Sequence, residues 1–124
     1  MDINVNNIEG YDKLDNYTKH IAAQVIFSLK NKRWTLALLA FRPFLIHIYA
    51  DISDESIDEI ISSRYNFDEI VQGISDLYNF SDDFNEKIIE VKNISNKINH
   101  EFQKATEEDA FACFWILETL IGYL

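Results

Sequence analysis

Glycine and proline are scarce in this chain, which has three glycines and one proline in 124 residues. β-Sandwiches and β-barrels need turn residues at intervals of roughly 8–12 positions, so this composition disfavours them. It favours helices joined by short connections. A chain of this length fits one domain. We therefore expect a single all-α domain over residues 1–124, with residues 1–10 loosely ordered.

Cysteine is almost absent as well. Cys113 is the only one, so no internal disulfide can form, and it lies in the apolar run from Ala110 to Leu117. We expect this thiol to be buried and inert, because reactive thiols need accessible, electropositive surroundings. The first ten residues contain neither the basic segment nor the apolar run of a secretory signal. These features predict a reduced compartment, the cytoplasm.

The sequence also lacks an uninterrupted apolar run long enough to span a membrane. The longest stretch, Trp34–Ala50, has seventeen residues and is interrupted by Arg42, Pro43 and His47, whereas a span requires about 20. We interpret it as a buried central helix and expect no membrane partner. Pro43 should kink or divide this helix near Arg42, because proline cannot donate a backbone hydrogen bond.

Apolar residues at helical spacing predict a bundle of five to six helices. The predicted helices cover about 11–30, 34–50, a segment that starts near 53 or 56, and 67–79, 82–104 and 107–121. The second and the last are apolar on nearly every side, so both should lie at the centre. Ser81 and the pair Thr106 and Asp109 are predicted N-terminal caps, and Gly122 a C-terminal stop. The inward positions of the outer helices include Ile57, Ile60, Ile61, Ile70, Val71, Ile74, Leu77, Phe84, Ile88, Val91, Ile94, Ile98 and Phe102.

Cations are nearly missing from residues 51–90. Twelve carboxylates stand there against Arg64 and Lys87, a net charge of −10 that equals the charge of the whole chain. One explanation is structural, because a carboxylate in the first turn of a helix is stabilised by the helix dipole. The first-turn positions expected from the sequence are Asp54, Glu55, Asp68, Asp82 and Asp83.

The other explanation is a basic partner. Ordinary surfaces interleave both signs of charge, and crowding one sign raises the self-repulsion of the fold. The tyrosines within the region have two interpretations. They anchor an interface, or they pack at the edge of the core. The partner-binding residues that we predict are Asp54, Glu55, Asp58, Glu59, Asp68, Glu69, Asp76, Asp82, Asp83, Tyr65 and Tyr78.

Sequence patterns for metal or cofactor chemistry do not occur. None of His20, His47 and His100 has a histidine four positions away, and there is no calcium-binding loop pattern. The chain has no P-loop and no nucleophile elbow. We therefore expect no metal and no cofactor.

One pattern points to an enzyme. The run Arg42-Pro43-Phe44-Leu45-Ile46-His47 has an Arg-x4-His spacing that resembles the signature of the HEPN family, small all-α bundles of which many are metal-independent ribonucleases. The resemblance implies that Arg42 and His47 would meet the phosphate and the ribose hydroxyl. The structural alternative is a buried arginine paired with a carboxylate and a core histidine with a satisfied hydrogen bond.

The length, the single helical domain and the acidic stretch Asp51–Glu90 resemble the small all-α immunity proteins that bacteria carry against their own secreted toxins, including those of contact-dependent inhibition systems. The resemblance implies a non-enzymatic inhibitor of a basic protein, most concretely a toxin nuclease, and no direct contact with nucleic acid. Carboxylates placed where the phosphates of the substrate would lie give fast, steered association. An adaptor kept soluble by its acidic side and a phage-encoded inhibitor of a nucleic-acid-binding protein are the open alternatives.

Overall fold

The computed structural model describes residue 4 and residues 7–62 and 67–123, and within them all regular structure is helical. A short 3-10 helix, Tyr11–Lys13, precedes α1 (Asn16–Lys30), α2 (Trp34–Leu39), α3 (Phe41–Ser53), α4 (Ile57–Ser62), α5 (Phe67–Tyr78), α6 (Asp82–Glu101) and α7 (Glu107–Tyr123). The predicted all-α bundle is confirmed, with α2 and α3 as the two parts of the second predicted helix.

Pro43 explains why α2 and α3 are separate. Proline is tolerated in the first turn of a helix, where its missing N–H has no intrahelical partner to lose. A new helix that begins at Phe41 places Pro43 in that turn, and Ala40 is the single residue between the two helices. The predicted division of this segment therefore occurs, two residues before Arg42.

At the break, two other helices supply donors to the last carbonyls of α2, in addition to the N–H of Ala40, which bonds to the carbonyl of Leu38. Ser95 of α6 donates its hydroxyl to the carbonyl of Leu38 at 3.2 Å. Cys113 of α7 donates its thiol to the carbonyl of Ala37 at 3.6 Å. Burial raises the pKa of this thiol to about 12, so the prediction of a buried, unreactive cysteine agrees with its place in the core.

The core is one cluster to which all seven helices contribute, and α7 runs through it. Its buried face packs against α1, α2, α3 and α6. The inner side of α3 is equally apolar, with Phe41, Phe44 and Ile48 buried. The short α2 buries Ala37 and Leu38 but exposes its other side.

Among the inward positions predicted for the outer helices, Ile61, Leu77 and Phe102 lie at the surface instead. The short α4 buries only Ile60 among its described side chains. In α5 the last turn packs through Tyr78 rather than Leu77. Phe102 follows the end of α6 in a left-handed conformation (φ 56°) and is 89% exposed. The predicted stop at Gly122 is also wrong, because α7 continues to Tyr123.

Polar caps begin several helices as predicted. The Ser81 hydroxyl accepts the N–H of Phe84 at 3.2 Å. Thr106 and Asp109 form a reciprocal capping box, with bonds of 3.0 and 3.1 Å. At α4, the Ser56 hydroxyl accepts from the N–H of Glu59, so the later of the two predicted starts is the observed one.

Gly73 allows α5 to approach α3 closely. A Cβ at this position would lie 2.6 Å from the ring of Tyr49. Gly10 has a comparable role before α1, because it adopts φ +86° and a Cβ there would meet the carbonyl of Ile121. Ile8 beside it is buried in the core.

By length and composition alone, the segment Trp34–Ser53 qualifies as a possible membrane span. The criterion is weak, because the core helix of a soluble protein also satisfies it. Here Phe41, Phe44 and Leu45 of this segment are buried against the other helices of the bundle.

Candidate functional site

The helices that carry the acidic segment are neighbours in space. The end of α3 packs against α4 and α5, and α6 packs against both α3 and α5. The predicted partner-binding carboxylates therefore belong to adjoining elements. All are solvent-exposed except Glu55, which is half-buried. The predicted Tyr65 lies outside the described residues.

Ion pairs neutralise only part of this surface. Lys92 of α6 pairs with Asp68, and Lys87 lies 3.5 Å from Glu90. The segment 51–90 itself supplies only Arg64 and Lys87 as cations. The carboxylate of each pair is exposed, and ion pairs open to solvent contribute about 0–1 kcal/mol to stability. The carboxylates of the segment thus greatly outnumber the cations that it carries.

The structural explanation accounts for some of the acidic residues and not for others. The first turns of α4, α5 and α6 hold Asp58 and Glu59, Asp68 and Glu69, and Asp82 and Asp83, where the helix dipole favours them.

The prediction that Asp54 and Glu55 lie in a first turn is wrong. Asp54 is the C-terminal cap of α3, in a left-handed conformation (φ 61°), and α4 begins only at Ile57. Asp76 lies near the C-terminus of α5, where the dipole opposes a negative charge. These three carboxylates have no explanation in the helix dipole.

Tyr78 links the acidic surface to a group of aromatic rings. Its ring is half-buried and lies 5.5 Å from that of Phe80 and 5.3 Å from that of Tyr123. Burial, together with the nearby charge of Asp51, raises the pKa of its hydroxyl. Packing at the edge of the core therefore describes Tyr78 better than a freely exposed anchor does.

Beside this group lies a cleft that the sequence reading did not identify. It has a volume of ≈ 490 Å³, and the rings of Phe80, Phe84, Trp115 and Tyr123 form its apolar walls. Trp115 is 47% and Tyr123 51% exposed. The sequence assigned Phe84 and Trp115 to the core, because apolar periodicity alone does not separate the wall of a cleft from an interior.

The rings of the cleft are fixed by contacts with one another. Phe84 meets Phe80 edge to face, with centroids 4.7 Å apart, and Trp115 in the same manner at 5.4 Å. Phe80 contacts Tyr123 at 5.1 Å. Aromatic pairs in this geometry favour one arrangement of the rings. The cleft is consequently preformed, with Asp83 and Lys87 as its charged lining residues.

A second polar group joins α1 to α3. The carboxyls of Asp15 and Asp51 are hydrogen-bonded to each other, and the charge of Asp15 also acts on His47. Asp15 caps α1 by accepting the N–H of Thr18 at 2.7 Å. His47 and Asp51 stand four positions apart on α3, which places them on one helix face. The spacing of His47 and Asp51 could have been recognised in the sequence as placing them on one helix face. Asp15 was missed as a cap because the predicted helix began near residue 11.

The pKa values of the two carboxyls are shifted in opposite directions. Burial raises the pKa of Asp51 to about 6, with further contributions from the charge and hydrogen bond of Asp15. Burial also opposes ionisation of Asp15, but hydrogen bonds from Thr18 and Asp51 and the charge of His47 lower its pKa overall. As the pH falls, Asp51 is therefore protonated before Asp15.

The structure contradicts the buried pair that was the structural alternative for Arg42 and His47, and the ribonuclease interpretation stays a prediction. Arg42 is exposed and His47 is half-buried, so neither is a core residue. The His47 ring stacks on that of Tyr17, with centroids 4.3 Å apart. Burial lowers the pKa of His47, and the charge of Asp15 partly offsets this effect. An α-helix turns by about 100° per residue, so Arg42 and His47, which are five positions apart, project from α3 in directions that differ by about 140°.

A positively charged part of the chain lies on α1, α2 and α3. Residues 16–50 contain five lysines and arginines and not one carboxylate. A groove of ≈ 440 Å³ runs between these helices, and its lining includes Tyr17, Phe27, Leu36, Leu39 and Pro43. The net charge of the chain therefore conceals two regions of opposite sign.

Within residues 4, 7–62 and 67–123, no three His, Cys, Asp or Glu side chains converge in a manner that could hold a metal ion. Protein-family models, curated proteins and solved structures provide no match to the chain. Inference about function therefore depends on the chemistry of the surfaces described above.

Proposed function

We propose that this protein is a non-enzymatic binding protein that neutralises a basic protein in the cytoplasm, most concretely the immunity protein of a bacterial toxin nuclease. One observation supports the proposal above all: residues 51–90 contain only two cations, and their exposed carboxylates lie on adjoining helices. Asp54, Glu55 and Asp76 add weight, because the helix dipole does not account for them.

The proposed mechanism is electrostatic occlusion. A nuclease needs a basic surface to bind phosphates, and an acidic surface competes for the same cations. Complementary fields raise the association rate and make it depend on salt, whereas close contacts determine the dissociation rate. The inhibitor then blocks either the active cleft or the surface that receives the nucleic acid.

The experiment reverses two adjacent charges in the first turn of α4. Binding of the basic domain of a toxin encoded beside this gene is measured by surface plasmon resonance between 20 mM and 500 mM NaCl. Asp58→Lys/Glu59→Lys should slow association by about 10- to 100-fold at low salt and remove most of the salt dependence. The same variant should lose protection of cells that express the toxin domain.

Glu107→Lys/Glu108→Lys is the matched control. These two residues are also exposed carboxylates in a helix first turn, at the start of α7 and outside the acidic segment. The control should associate at nearly the wild-type rate, apart from a small effect of the total charge. Equal losses in both variants would reduce the effect to net charge, and unchanged association in the α4 variant would contradict the proposal.

The HEPN-type ribonuclease stays a prediction, and no contact described above favours it. The charge of one carboxylate, Asp15, acts on its proposed histidine, and a negative charge there repels the phosphates of RNA. Cleavage of RNA by the purified protein, lost in both Arg42→Ala and His47→Ala, would establish the enzyme. An adaptor or a phage-type inhibitor would bind a basic host protein rather than a toxin domain, and the gene neighbourhood separates these cases.

A further inference from the structure

We propose that the cleft formed by Phe80, Phe84, Trp115 and Tyr123 receives an arginine side chain of the basic partner. This inference rests on the proposed function and adds to it one particular contact. The cleft adjoins the acidic surface at the start of α6, where Asp83 lines it. Arginine inserted there would anchor a complex that the surrounding carboxylates have steered into place.

The apolar walls suit a guanidinium group. A cation near an aromatic ring is attracted by the charge distribution of the ring, and tryptophan is the strongest such partner. Arginine is planar, stacks on aromatic rings and is less strongly hydrated than lysine. Trp115 and Tyr123 are half-exposed while they contact the other rings, so a ligand can reach them without any rearrangement of the core.

The chain segments that form the cleft are acidic, which favours a cation. The segments that form it, residues 78–90 and 111–123, carry five carboxylates and one cation. The carboxylates are Asp82, Asp83, Glu86, Glu90 and Glu118. Asp82 and Asp83 outweigh the partial positive charge of roughly half a unit at the start of α6.

Lys87 is the one lining residue that opposes a cation. Its ammonium group lies 3.5 Å from Glu90, so part of its charge is already neutralised. Removing it should favour arginine further. Lys87→Met keeps most of the aliphatic side chain and deletes the charge, and the cleft proposal predicts tighter binding of arginine in this variant.

The probes are three peptides of equal length: hexa-arginine, hexa-lysine and hexa-citrulline, the last having the shape of arginine without its charge. The protein carries Trp34→Phe, which leaves Trp115 as its only tryptophan and thus as the fluorescent reporter. Hexa-arginine should change the fluorescence of Trp115 and bind more tightly than hexa-lysine. Hexa-citrulline should not bind in the same concentration range.

Two variants test the cleft directly, with binding measured by calorimetry so that no reporter is needed. Trp115→Ala removes one wall and should weaken hexa-arginine about tenfold while changing hexa-lysine much less. Thr119→Lys adds a cation to the lining and should weaken hexa-arginine even if Trp115→Ala does not fold. Phe27→Ala is the control, because it truncates another exposed aromatic residue, on α1.

The outcomes separate this inference from the proposed function. Selective loss of hexa-arginine in Trp115→Ala or Thr119→Lys supports the cleft. Wild-type binding in both would overturn the cleft and leave the proposed function standing, provided that Asp58→Lys/Glu59→Lys still weakens the basic partner. If the α4 reversal has no effect while the cleft variants lose hexa-arginine, the cleft is a cation site and the proposed function fails.

Discussion

Residues 16–50 and residues 51–90 are nearly equal in length and opposite in composition. The first region has five cations, no carboxylate and much of the buried core of α1 and α3. The second has twelve carboxylates and two cations, and its helices bury a narrower set of side chains. One region thus stabilises the fold through packing, whereas the other carries like charges that repel one another.

The net charge is therefore a poor description of this protein. The overall −10 suggests a uniformly acidic molecule, yet the groove on α1 and α2 lies in a segment without any carboxylate. Substitutions should therefore act differently in the two regions. In the first they should change the free energy of unfolding, and in the second mainly the rate of association.

The largest expected effect is in the packed region. Phe44 is fully buried, so Phe44→Ala should lower the free energy of unfolding by about 3–5 kcal/mol through lost burial and a cavity. Urea denaturation measures this change. Phe27→Ala, at an exposed position on α1, should cost less than about 0.5 kcal/mol. A similarly small loss in both variants would contradict the claim that packing in residues 16–50 stabilises the fold.

The next effect concerns the break that Pro43 imposes on the first region. Ser95→Ala deletes the hydroxyl that satisfies the Leu38 carbonyl. The Leu38 carbonyl then keeps the N–H of Ala40 as a donor, so the loss of one hydrogen bond should destabilise the protein by about 0.5–1.5 kcal/mol. Urea denaturation of Ser95→Ala and of the exposed control Ser62→Ala gives the difference. Equal stabilities would mean that water or another group can replace the serine.

A smaller effect is expected where the two regions meet, at Asp51. Its folded-state pKa of about 6 exceeds the value of roughly 3.9 for an unfolded chain, so the native state holds the proton more tightly. The resulting stabilisation is complete below pH 4 and is lost as the pH rises through 6. Because Asp51 is largely exposed, solvent screening limits the effect to about 1 kcal/mol.

Asp51→Asn should abolish that loss. The stability of the variant relative to wild type should rise by about 1 kcal/mol between pH 4 and pH 7, as measured by thermal unfolding at each pH. Asp76→Asn removes a carboxylate of the same region outside the pair and serves as the control. A difference that stays constant with pH for Asp51→Asn would show that the two carboxyls do not share a proton.

The smallest expected effect distinguishes self-repulsion from the helix dipole within the acidic region. Asp76 lies near the C-terminus of α5 and Asp82 at the N-terminus of α6. Asp76→Lys should stabilise by about 0.5 kcal/mol, because repulsion and the dipole both favour a cation there. Asp82→Lys sets the two effects against each other and should gain less or lose stability. Equal gains in both would show that repulsion alone governs this surface.

Local chemistry made much of the fold predictable. Ser81 and Thr106 begin helices because a side-chain oxygen there satisfies an otherwise unpaired N–H. Pro43 divides its segment because it lacks a donor. Such effects depend on a few neighbouring residues, so a sequence is enough to recognise them. The exposure of Leu77 and Phe102 escaped prediction, since it depends on where each helix leaves the core.

The candidate sites also differ in how far the sequence alone could predict them. The excess of carboxylates over cations in residues 51–90 is a property of the sequence, and the proposal of a basic partner follows from it. Only the packing of α6 on α7 brings Phe84 to Trp115, and only the packing of α1 on α3 joins Asp15 to Asp51. Composition and periodicity act along the chain, whereas a cleft or a shared proton requires side chains from distant positions to meet. Only the tertiary structure brings such side chains into contact.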